Sequence, residues 1–239
     1  MKKLSIIIPV YNEEMLVAET LKRVEELCLP KEIIKEVVVV NDASTDKTKE
    51  VLTKIQKEYK FKLINHSINQ GKGKAVMTGM QSATGDYIVI QDADLEYHPK
   101  DILKLLTPVL EGQAEVVYGT RLRRLPNIKK EENHSLFLLH FLGNRSLSLM
   151  TSILYGTWLT DMETCYKLFP KKALDSFVIH ARGFEFEPEI TAKLLKNGYK
   201  IIEVSISTTP RGYDEGKKLN TITDGIKALT ALLKYRFVN

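Results

Sequence analysis

The sequence lacks features that mark several large classes of protein. Its 239 residues include two cysteines, Cys28 and Cys165, whose spacing fits neither a metal site nor a disulfide framework. We therefore expect two free thiols in a reducing compartment. Internal repeats and low-complexity segments are absent from the sequence, and 44% of the residues are hydrophobic. This composition excludes disordered and collagen-like chains and is typical of a globular protein with a sizeable core.

Long hydrophobic runs are also scarce. The short apolar stretch 4–10 is followed too soon by Glu13 and Glu14 to be the core of a secretory signal. Residues 135–160 include one formally charged side chain, Arg145, but several polar residues interrupt the stretch, so it is not a clean transmembrane helix. We expect a cytoplasmic protein, either free or peripheral on the cytoplasmic face of a membrane.

The excess of one charge sign is small. The formal net charge is +5, and the basic residues do not form one block. A nucleic-acid binder would show a denser basic stripe interleaved with aromatic residues, so we expect no nucleic-acid partner. A mild positive charge suits an anionic small molecule or an anionic membrane surface, and composition does not choose between them.

The first half of the chain alternates short β-rich runs with amphipathic helical patterns, as stacked βα units do. Strands are predicted at 4–10, 37–40, 61–65, 87–90 and 114–118, with further strands at 166–169 and 200–207. We predict an α/β fold in one domain over residues 1–239. Because parallel sheets bind ligands beyond the carboxyl ends of their strands, we expect the site at the rim that carries Tyr11, Asp42, Asp92 and Asp94.

An acidic cluster directly follows the fourth predicted strand. Asp92 and Asp94 lie on one side of an extended chain, and Glu96 follows as the loop leaves the sheet. Three carboxylates this close repel one another unless a cation neutralises them. Mg²⁺ or Mn²⁺ is the natural partner, and such ions usually also hold substrate phosphates. The alternative is a solvated acidic turn.

Two glycine-containing loops suit phosphate. In the loop 69–74, backbone N–H groups can approach an anion, and Lys72 or Lys74 adds charge. In the loop 210–218, Arg211 offers a bidentate contact and Lys217 a point charge, as in a lid that closes over a diphosphate. The alternatives are a turn that caps a helix and a solvated loop.

These motifs together carry a resemblance to a known family. Five segments occur in order, namely Ser5–Glu13, Val40–Asp46, Asn69–Lys74, Gly85–Tyr87 and Asp92–Asp94. The chain resembles the inverting family 2 glycosyltransferases of the GT-A fold. Three later segments are similar to those of the dolichyl- or polyprenyl-phosphate hexose synthases, namely Asp161–Lys167, Phe184–Ile190 and Arg211–Lys217. The resemblance covers nearly the whole chain.

The resemblance implies a fold, a reaction and a set of site residues. The fold is a mostly parallel central sheet with helices on both faces, with a nucleotide-binding half (1–120) and an acceptor-binding half (121–239). The reaction is metal-dependent transfer of a hexose from a GDP- or UDP-linked sugar to a polyprenyl or dolichyl phosphate, with Mg²⁺ or Mn²⁺. The nucleotide-binding residues implied are Pro9, Tyr11, Glu13, Asp42, Lys72, Asp92, Ala93 and Arg121. The implied metal ligands are Asp94 and Glu96, and the implied catalytic residues are Asp92, Asp94, Arg211 and Lys217. Arg145 is a further catalytic candidate, from its place in the segment 135–160.

The acceptor decides whether a base is needed. A lipid phosphate is already an anion, whereas a saccharide or other hydroxyl acceptor needs a general base, for which Asp161 and Glu163 are the candidates. A nucleotide-binding module without turnover is a further alternative. The nucleotide base, the hexose and the oligomeric state stay open.

The segment 135–160 is a candidate acceptor site. On a helix, Arg145, Ser148 and Ser152 form a polar stripe, and apolar residues such as Leu149 and Trp158 cover the other faces. An interfacial helix would expose these apolar residues to acyl chains and aim Arg145 at a lipid phosphate, giving peripheral membrane contact. The alternative is an ordinary core helix, in which the buried Arg145 needs a partner.

Overall fold

One mixed sheet organises the chain. The structure, a computed structural model, describes residues 1–121, 134–209 and 221–238, and it leaves the side chains of 134–140 and 221–222 undescribed. The strands are β1 (Lys2–Val10), β2 (Ile33–Asn41), β3 (Lys62–Asn65), β4 (Tyr87–Ile90), β5 (Val116–Thr120), β6 (Lys167–Pro170) and β7 (Ile201–Ser205). The helices are α1 (Val17–Glu25), α2 (Thr48–Ile55), α3 (Lys72–Ser82), α4 (Ile102–Leu110), α5 (His134–Tyr155), α6 (Phe186–Lys196) and α7 (Thr221–Phe237).

The strand order places strands of both halves of the chain in one sheet. It runs β3-β2-β1-β4-β6-β5-β7, and only β6 is antiparallel to its neighbours β4 and β5. The strands β1, β2 and β4 lie side by side and parallel, with Ile7 opposite both Val38 and Ile90. Their carboxyl ends therefore share one rim, as the sequence predicts.

The core combines β-branched and leucine side chains with buried aromatic residues such as Tyr118, Tyr166 and Phe169. The central residues of β1, β2 and β4 are buried, because helices cover the sheet. Each predicted strand is found, with bounds that differ by a few residues. The largest difference is at β2, which begins at Ile33, because hydrogen-bonded pairing with β1 extends the strand beyond its apolar run.

The helix α5 turns its polar side inward. Ser148 and Thr151 are buried, and the hydroxyl of Ser148 accepts a hydrogen bond from the Met162 N–H at 2.9 Å. Leu149 and Ile153, in contrast, are 50% and 70% exposed. Of the predicted polar stripe, Ser148 and Ser152 thus pack toward the protein and Arg145 is exposed, whereas the apolar Leu149 and Ile153 lie at the surface. Among the described residues, no helix is long and apolar enough to cross a membrane.

The helix α7 packs beside α5 and also exposes apolar side chains at the surface. The Tyr155 hydroxyl donates to the Leu232 carbonyl at 3.0 Å and ties the two helices together. Ala228 and Leu232 face inward, whereas Ile226, at 61% exposure, faces out. Other exposed apolar residues of this helix and the residue after it are Leu229, Leu233, Phe237 and Val238.

Candidate active site

The rim at the ends of β1, β2 and β4 is also where the backbone is strained. In the described part of the chain, the non-glycine residues with positive φ are Asn12, Ala43 and Leu95, each just after one of these three strands. Such conformations cost free energy and tend to persist at functional sites. The structure therefore marks the same rim that the sequence predicts.

Asp92 is paired with a lysine across the rim. Lys72 Nζ lies 2.9 Å from Asp92 Oδ1 and 3.1 Å from Oδ2. Burial alone would lower the pKa of Lys72, but the surrounding negative groups, Asp92 foremost among them, together outweigh burial and raise the pKa well above its usual value. Lys72 is therefore a cation at the site at any physiological pH, held at the start of α3.

Asp94 has an excess of negative charge around it. Its Oδ1 accepts the Glu96 N–H at 3.0 Å. Burial, together with the charges of Asp92 and Glu96, raises the pKa of Asp94 to about 7. A carboxyl in this setting gains from a nearby cation, and Asp94 and Glu96 are hard oxygen donors.

This donor set fits a divalent ion that shares its ligands with a substrate. The described residues contain no group of three or more His, Cys, Asp or Glu side chains arranged to hold a metal ion. Mg²⁺ commonly binds through one or two carboxylates plus substrate phosphates, so Asp94 and Glu96 suffice for such a site. Their assignment as metal ligands stays a prediction.

Asp42 is engaged by the protein. The buried carboxylate accepts the N–H groups of Gln70 and Gly71 at 2.9 and 2.8 Å, and it contacts His66 Nδ1 at 2.6 Å. These N–H groups of the loop 69–74 therefore bind a protein carboxylate, and the expectation that they cradle a phosphate is wrong for them. Contact between Asp42 and a nucleotide base stays a prediction.

The glycines of this loop allow close packing. Gly71 has φ +93°, and a Cβ there would lie 2.4 Å from the Arg182 carbonyl oxygen. The Lys74 N–H donates to the same oxygen at 3.2 Å. Close approach to the segment 181–183, rather than to an anion, requires glycine here.

The remaining residues predicted to bind nucleotide are spread along the rim. Pro9 lies near the end of β1, and Tyr11 and Glu13 follow it, with the Glu13 N–H bonded to Thr48 Oγ1 at 2.9 Å. Ala93 is buried and its carbonyl accepts the Thr20 hydroxyl at 2.9 Å. The structure places these residues together at the rim, and their contact with nucleotide stays a prediction.

Arg121 binds an aspartate at the end of β5. Its Nε and Nη2 each lie 2.7 Å from an oxygen of Asp161, and its N–H adds a third hydrogen bond at 2.9 Å. Asp161 is fully buried, and each of its two oxygens accepts a hydrogen bond from Arg121. The guanidinium group of Arg121 thus binds a protein carboxylate through Nε and Nη2. Its predicted contact with nucleotide would need an N–H group that does not bind Asp161.

Sequence reasoning missed a second charged cluster. Lys167 is fully buried, pairs with Glu187, and donates to the carbonyl oxygens of Met162, at 2.9 Å, and Thr164. Glu187 also lies 4.0 Å from Lys72 Nζ, which links this cluster to Asp92. The one signal was that both residues fall within segments that carry the resemblance. Pairing across 20 positions was not readable from spacing.

Glu163 differs from the neighbouring Asp161. Its Oε1 is buried and has no hydrogen-bond partner among the described residues. Burial, together with the charge of Glu187, outweighs the ammonium of Lys167 and raises the pKa of Glu163 to about 7. Of the two candidate bases, Glu163 is the one with an oxygen that accepts no hydrogen bond from the residues the structure describes.

Two predicted groups lie elsewhere. Arg145 is exposed, and its Nη1 lies 3.4 Å from the Thr160 carbonyl, so the alternative in which it is buried in a core helix is wrong. Its contact with a lipid phosphate stays a prediction. Arg211 and Lys217 lie outside the described residues.

Comparison with known proteins gives relatives that match nearly the whole of this chain. The chain is 32% identical over 233 residues to an uncharacterized protein of Methanocaldococcus jannaschii, covering 95% of this chain and 90% of the relative. It is 29% identical over 250 residues to the UDP-N-acetylglucosamine–dolichyl-phosphate N-acetylglucosaminyltransferase of Methanococcus voltae, covering 97% and 95%. It is 28% identical to the dolichol-phosphate mannosyltransferase of Pyrococcus furiosus, covering 98% of this chain and 64% of that one.

Solved structures confirm the GT-A fold. A glucosyl-3-phosphoglycerate synthase from Mycobacterium tuberculosis, crystallised with Mn²⁺, UDP and phosphoglyceric acid, matches with a TM-score of 0.74 at 18% identity. The match covers 100% of this chain and 80% of that one. Another crystal of the synthase, with Mg²⁺ and UDP, matches with a TM-score of 0.71. At this identity the likeness bears on the fold alone.

A family model decides the wider assignment. The model described as glycosyl transferase family 2 matches residues 5–177, which include most of β1, all of β2 to β6 and the residues that follow β1, β2 and β4 at the rim. The resemblance predicted from the motifs is thereby confirmed. The chain is a glycosyltransferase and belongs to glycosyl transferase family 2.

Proposed function

We propose that the chain transfers a hexose, with inversion, from a GDP- or UDP-linked sugar to a polyprenyl or dolichyl phosphate. The observation that carries the proposal is the acidic rim, where Asp94 has an unfavourable excess of negative charge next to the Lys72–Asp92 pair. Two relatives named for dolichyl-phosphate acceptors support the acceptor, and neighbours of the same fold with UDP and Mn²⁺ or Mg²⁺ support the donor and the metal.

In this proposal each group at the rim has a task toward the donor. Asp94 and Glu96 would hold a divalent ion, which supplies positive charge to the diphosphate leaving group. Lys72, at the start of α3, would add a second positive charge to that of the ion. Asp92, which pairs with Lys72, would lie where the nucleotide or its sugar meets the sheet. Preorganised charges of this kind stabilise the negative charge that develops on the departing diphosphate.

The acceptor would approach across the exposed apolar face of α5 and α7. This face is defined by Leu142, Leu149, Ile153, Trp158, Ile226, Leu229, Leu233 and Phe237, which are between 36% and 82% exposed. Large exposed apolar patches mark contact with lipid or protein, and eight exposed apolar side chains on or next to two packed helices support such a contact. The same two helices expose Arg145, Lys227, Lys234 and Arg236. Cations beside exposed apolar side chains suit the anionic surface of a membrane, where a polyprenyl phosphate resides.

The test of this proposal is the choice of acceptor. Release of nucleoside diphosphate from UDP- or GDP-sugars is measured with Mn²⁺ and a short isoprenyl phosphate, the matching isoprenol, or no acceptor. We expect release, and formation of a phosphate-linked sugar, with the phosphate alone. Equal release with the isoprenol, or release that ignores the acceptor, would contradict a phosphate acceptor.

One observation favours a second candidate, transfer to a hydroxyl acceptor. Glu163 has a buried oxygen without a hydrogen bond and a pKa raised to about 7, as a general base requires. If the acceptor is a hydroxyl, Glu163→Gln should lower kcat at least about 100-fold, the low end of general-base effects. If it is a phosphate, this variant should retain turnover close to wild type.

A further inference from the structure

Glu187 is a buried acid at the site to which the proposed transfer gives no task. It lies in the first turn of α6, and its side chain is 5% exposed. Its Oε2 pairs with Lys167 Nζ, whereas Oε1 is buried and accepts no hydrogen bond from the described part of the chain. Leaving a buried carboxylate oxygen unsatisfied costs free energy, so its persistence requires an explanation.

The position of Glu187 links it to the donor side of the rim. Lys72 Nζ lies 4.0 Å from Glu187 Oε1, which is too far for a hydrogen bond, and 2.9 Å from Asp92 Oδ1. A single ammonium group therefore lies between the unsatisfied oxygen and the first aspartate of the acidic motif. The half-buried ring of Phe184 lies 5.7 Å from the same ammonium.

These three groups have the composition of a carbohydrate subsite. The oxygen of Glu187 accepts a hydrogen bond, Lys72 donates one, and the ring of Phe184 offers a flat apolar surface to the C–H face of a pyranose. A phosphate oxygen in direct contact with Glu187 Oε1 is disfavoured, because both groups are anions and repel each other. The group that satisfies Oε1 must donate, and the hydroxyls of a hexose are the donors that a nucleotide sugar brings to Asp92.

A neighbouring glutamate shows what a structural acid looks like in the same turn. Glu189 is fully buried, and its oxygens accept the N–H groups of His180 and Ala181 at 2.9 and 2.7 Å. It also pairs with Lys193 at 2.8 Å. Each oxygen of Glu189 is satisfied by the protein, so it holds the segment 180–181 on α6. Within residues 1–121, 134–209 and 221–238, Glu187 has no such set of partners.

We propose that Glu187 binds a hydroxyl group of the transferred hexose and thereby helps to select the sugar. This inference rests on the proposed function, because the hexose reaches this place only as part of a nucleotide sugar. A site built to accept a hydroxyl discriminates strongly against a sugar that lacks it or presents it elsewhere.

The experiment compares Glu187→Gln with the matched control Glu189→Gln. Calorimetric affinities are measured with Mn²⁺ for UDP and GDP and for UDP-glucose, UDP-N-acetylglucosamine and GDP-mannose. For the sugar nucleotide that the wild type prefers, Glu187→Gln should lose affinity by about 10–100-fold, the scale of a hydrogen bond to a charged group. Its affinity for the bare nucleoside diphosphate should stay within about twofold. Glu189→Gln should lower the melting temperature and leave the ratio of the two affinities unchanged.

Three results would overturn the inference. An equal loss of affinity for nucleoside diphosphate and nucleotide sugar would mean that Glu187 only positions Lys72. No loss of either would mean that it is only a partner for Lys167. A wild type that binds nucleotides without Mn²⁺, or not at all, would instead remove the proposed function itself. If Glu187→Gln does not fold, Glu187→Asp keeps the charge beside Lys167, retracts the oxygen and should show the same selective loss.

Discussion

At the scale of single residues, the rim contains two kinds of carboxylate. Both oxygens of Asp42 and of Asp161 accept hydrogen bonds from the protein, so these side chains hold loops in place. Asp94 and Glu187 keep an excess of charge or an unsatisfied oxygen. The sequence predicts that acids gather at this rim, but it does not separate the two kinds, because their partners come from distant parts of the chain.

Asp94→Asn tests the charge at the rim. The folded protein disfavours the ionised form of Asp94, since its pKa is raised to about 7, so removing the charge should stabilise the unliganded fold above that pH. We expect a melting temperature at pH 8 that is higher by roughly 2 °C or more, together with loss of Mn²⁺-dependent nucleotide binding. Scanning calorimetry and titration measure the two effects. A less stable variant that still binds Mn²⁺ and nucleotide would contradict this account of Asp94.

Glu36 sets part of the acid stability. Burial alone would raise its pKa, but hydrogen bonds from Ser5, Thr84 and Lys3 outweigh it and lower the pKa to about 2. This lowered pKa stabilises the fold above pH 4.5, and the contribution is lost as the pH falls toward 2. Glu36→Gln should therefore lower the free energy of unfolding at pH 7 by roughly 2 kcal/mol and flatten its decrease between pH 5 and 2.

The control for this prediction is Glu50→Gln on the exposed side of α2. Urea denaturation at several pH values should show no change in slope against pH for the control. A Glu36→Gln curve parallel to that of the wild type would mean that the hydrogen bonds around Glu36 do not stabilise the carboxylate.

At the scale of elements, the strands were predictable and the faces of the outer helices were not. Runs of β-branched residues such as 37–40 must be buried on both sides, which identifies strands in a parallel sheet. Periodicity also finds α5 and α7, but it does not say which side faces the protein. The hydroxyl of the buried Ser148 accepts a hydrogen bond from the Met162 N–H, and nothing local in the sequence indicates that contact.

The position of Lys72 depends on the contact between the start of α3 and the segment 181–183. Gly71→Ala adds a Cβ 2.4 Å from the Arg182 oxygen at a residue with positive φ, so we expect a loss of about 1–3 kcal/mol in stability beyond the backbone cost of the positive φ. Gly112→Ala is the matched control, because φ is also positive there and a Cβ meets nothing within 4 Å. It should cost about 1 kcal/mol, the backbone contribution alone.

Chemical denaturation of both variants separates the two contributions. The Gly71 variant should also bind nucleotide sugars more weakly than the control, since Lys72 moves with the loop. Equal stability losses in the two variants would show that the contact with Arg182 contributes nothing.

At the scale of the whole molecule, the account joins a charged rim to an exposed apolar face. The chain should therefore bind vesicles that contain anionic lipid, and the substitution Ile153→Ser should weaken this binding several-fold, because Ile153 is 70% exposed on α5. Ile68→Ser is the control, since Ile68 is 68% exposed but lies in the loop after β3. Flotation with vesicles measures both. Equal binding by the two variants, or none by the wild type, would remove the membrane role of this face.

The central claim is that the rim binds the diphosphate of a nucleotide sugar through a divalent ion. The direct measurement is calorimetric titration of UDP and GDP into the wild type, with Mn²⁺ and with EDTA. Because two protein carboxylates alone make a weak metal site, metal and nucleotide should bind cooperatively, and Mn²⁺ should raise the affinity for one of the two nucleotides at least about 10-fold. Equal affinity with Mn²⁺ and with EDTA would contradict the claim.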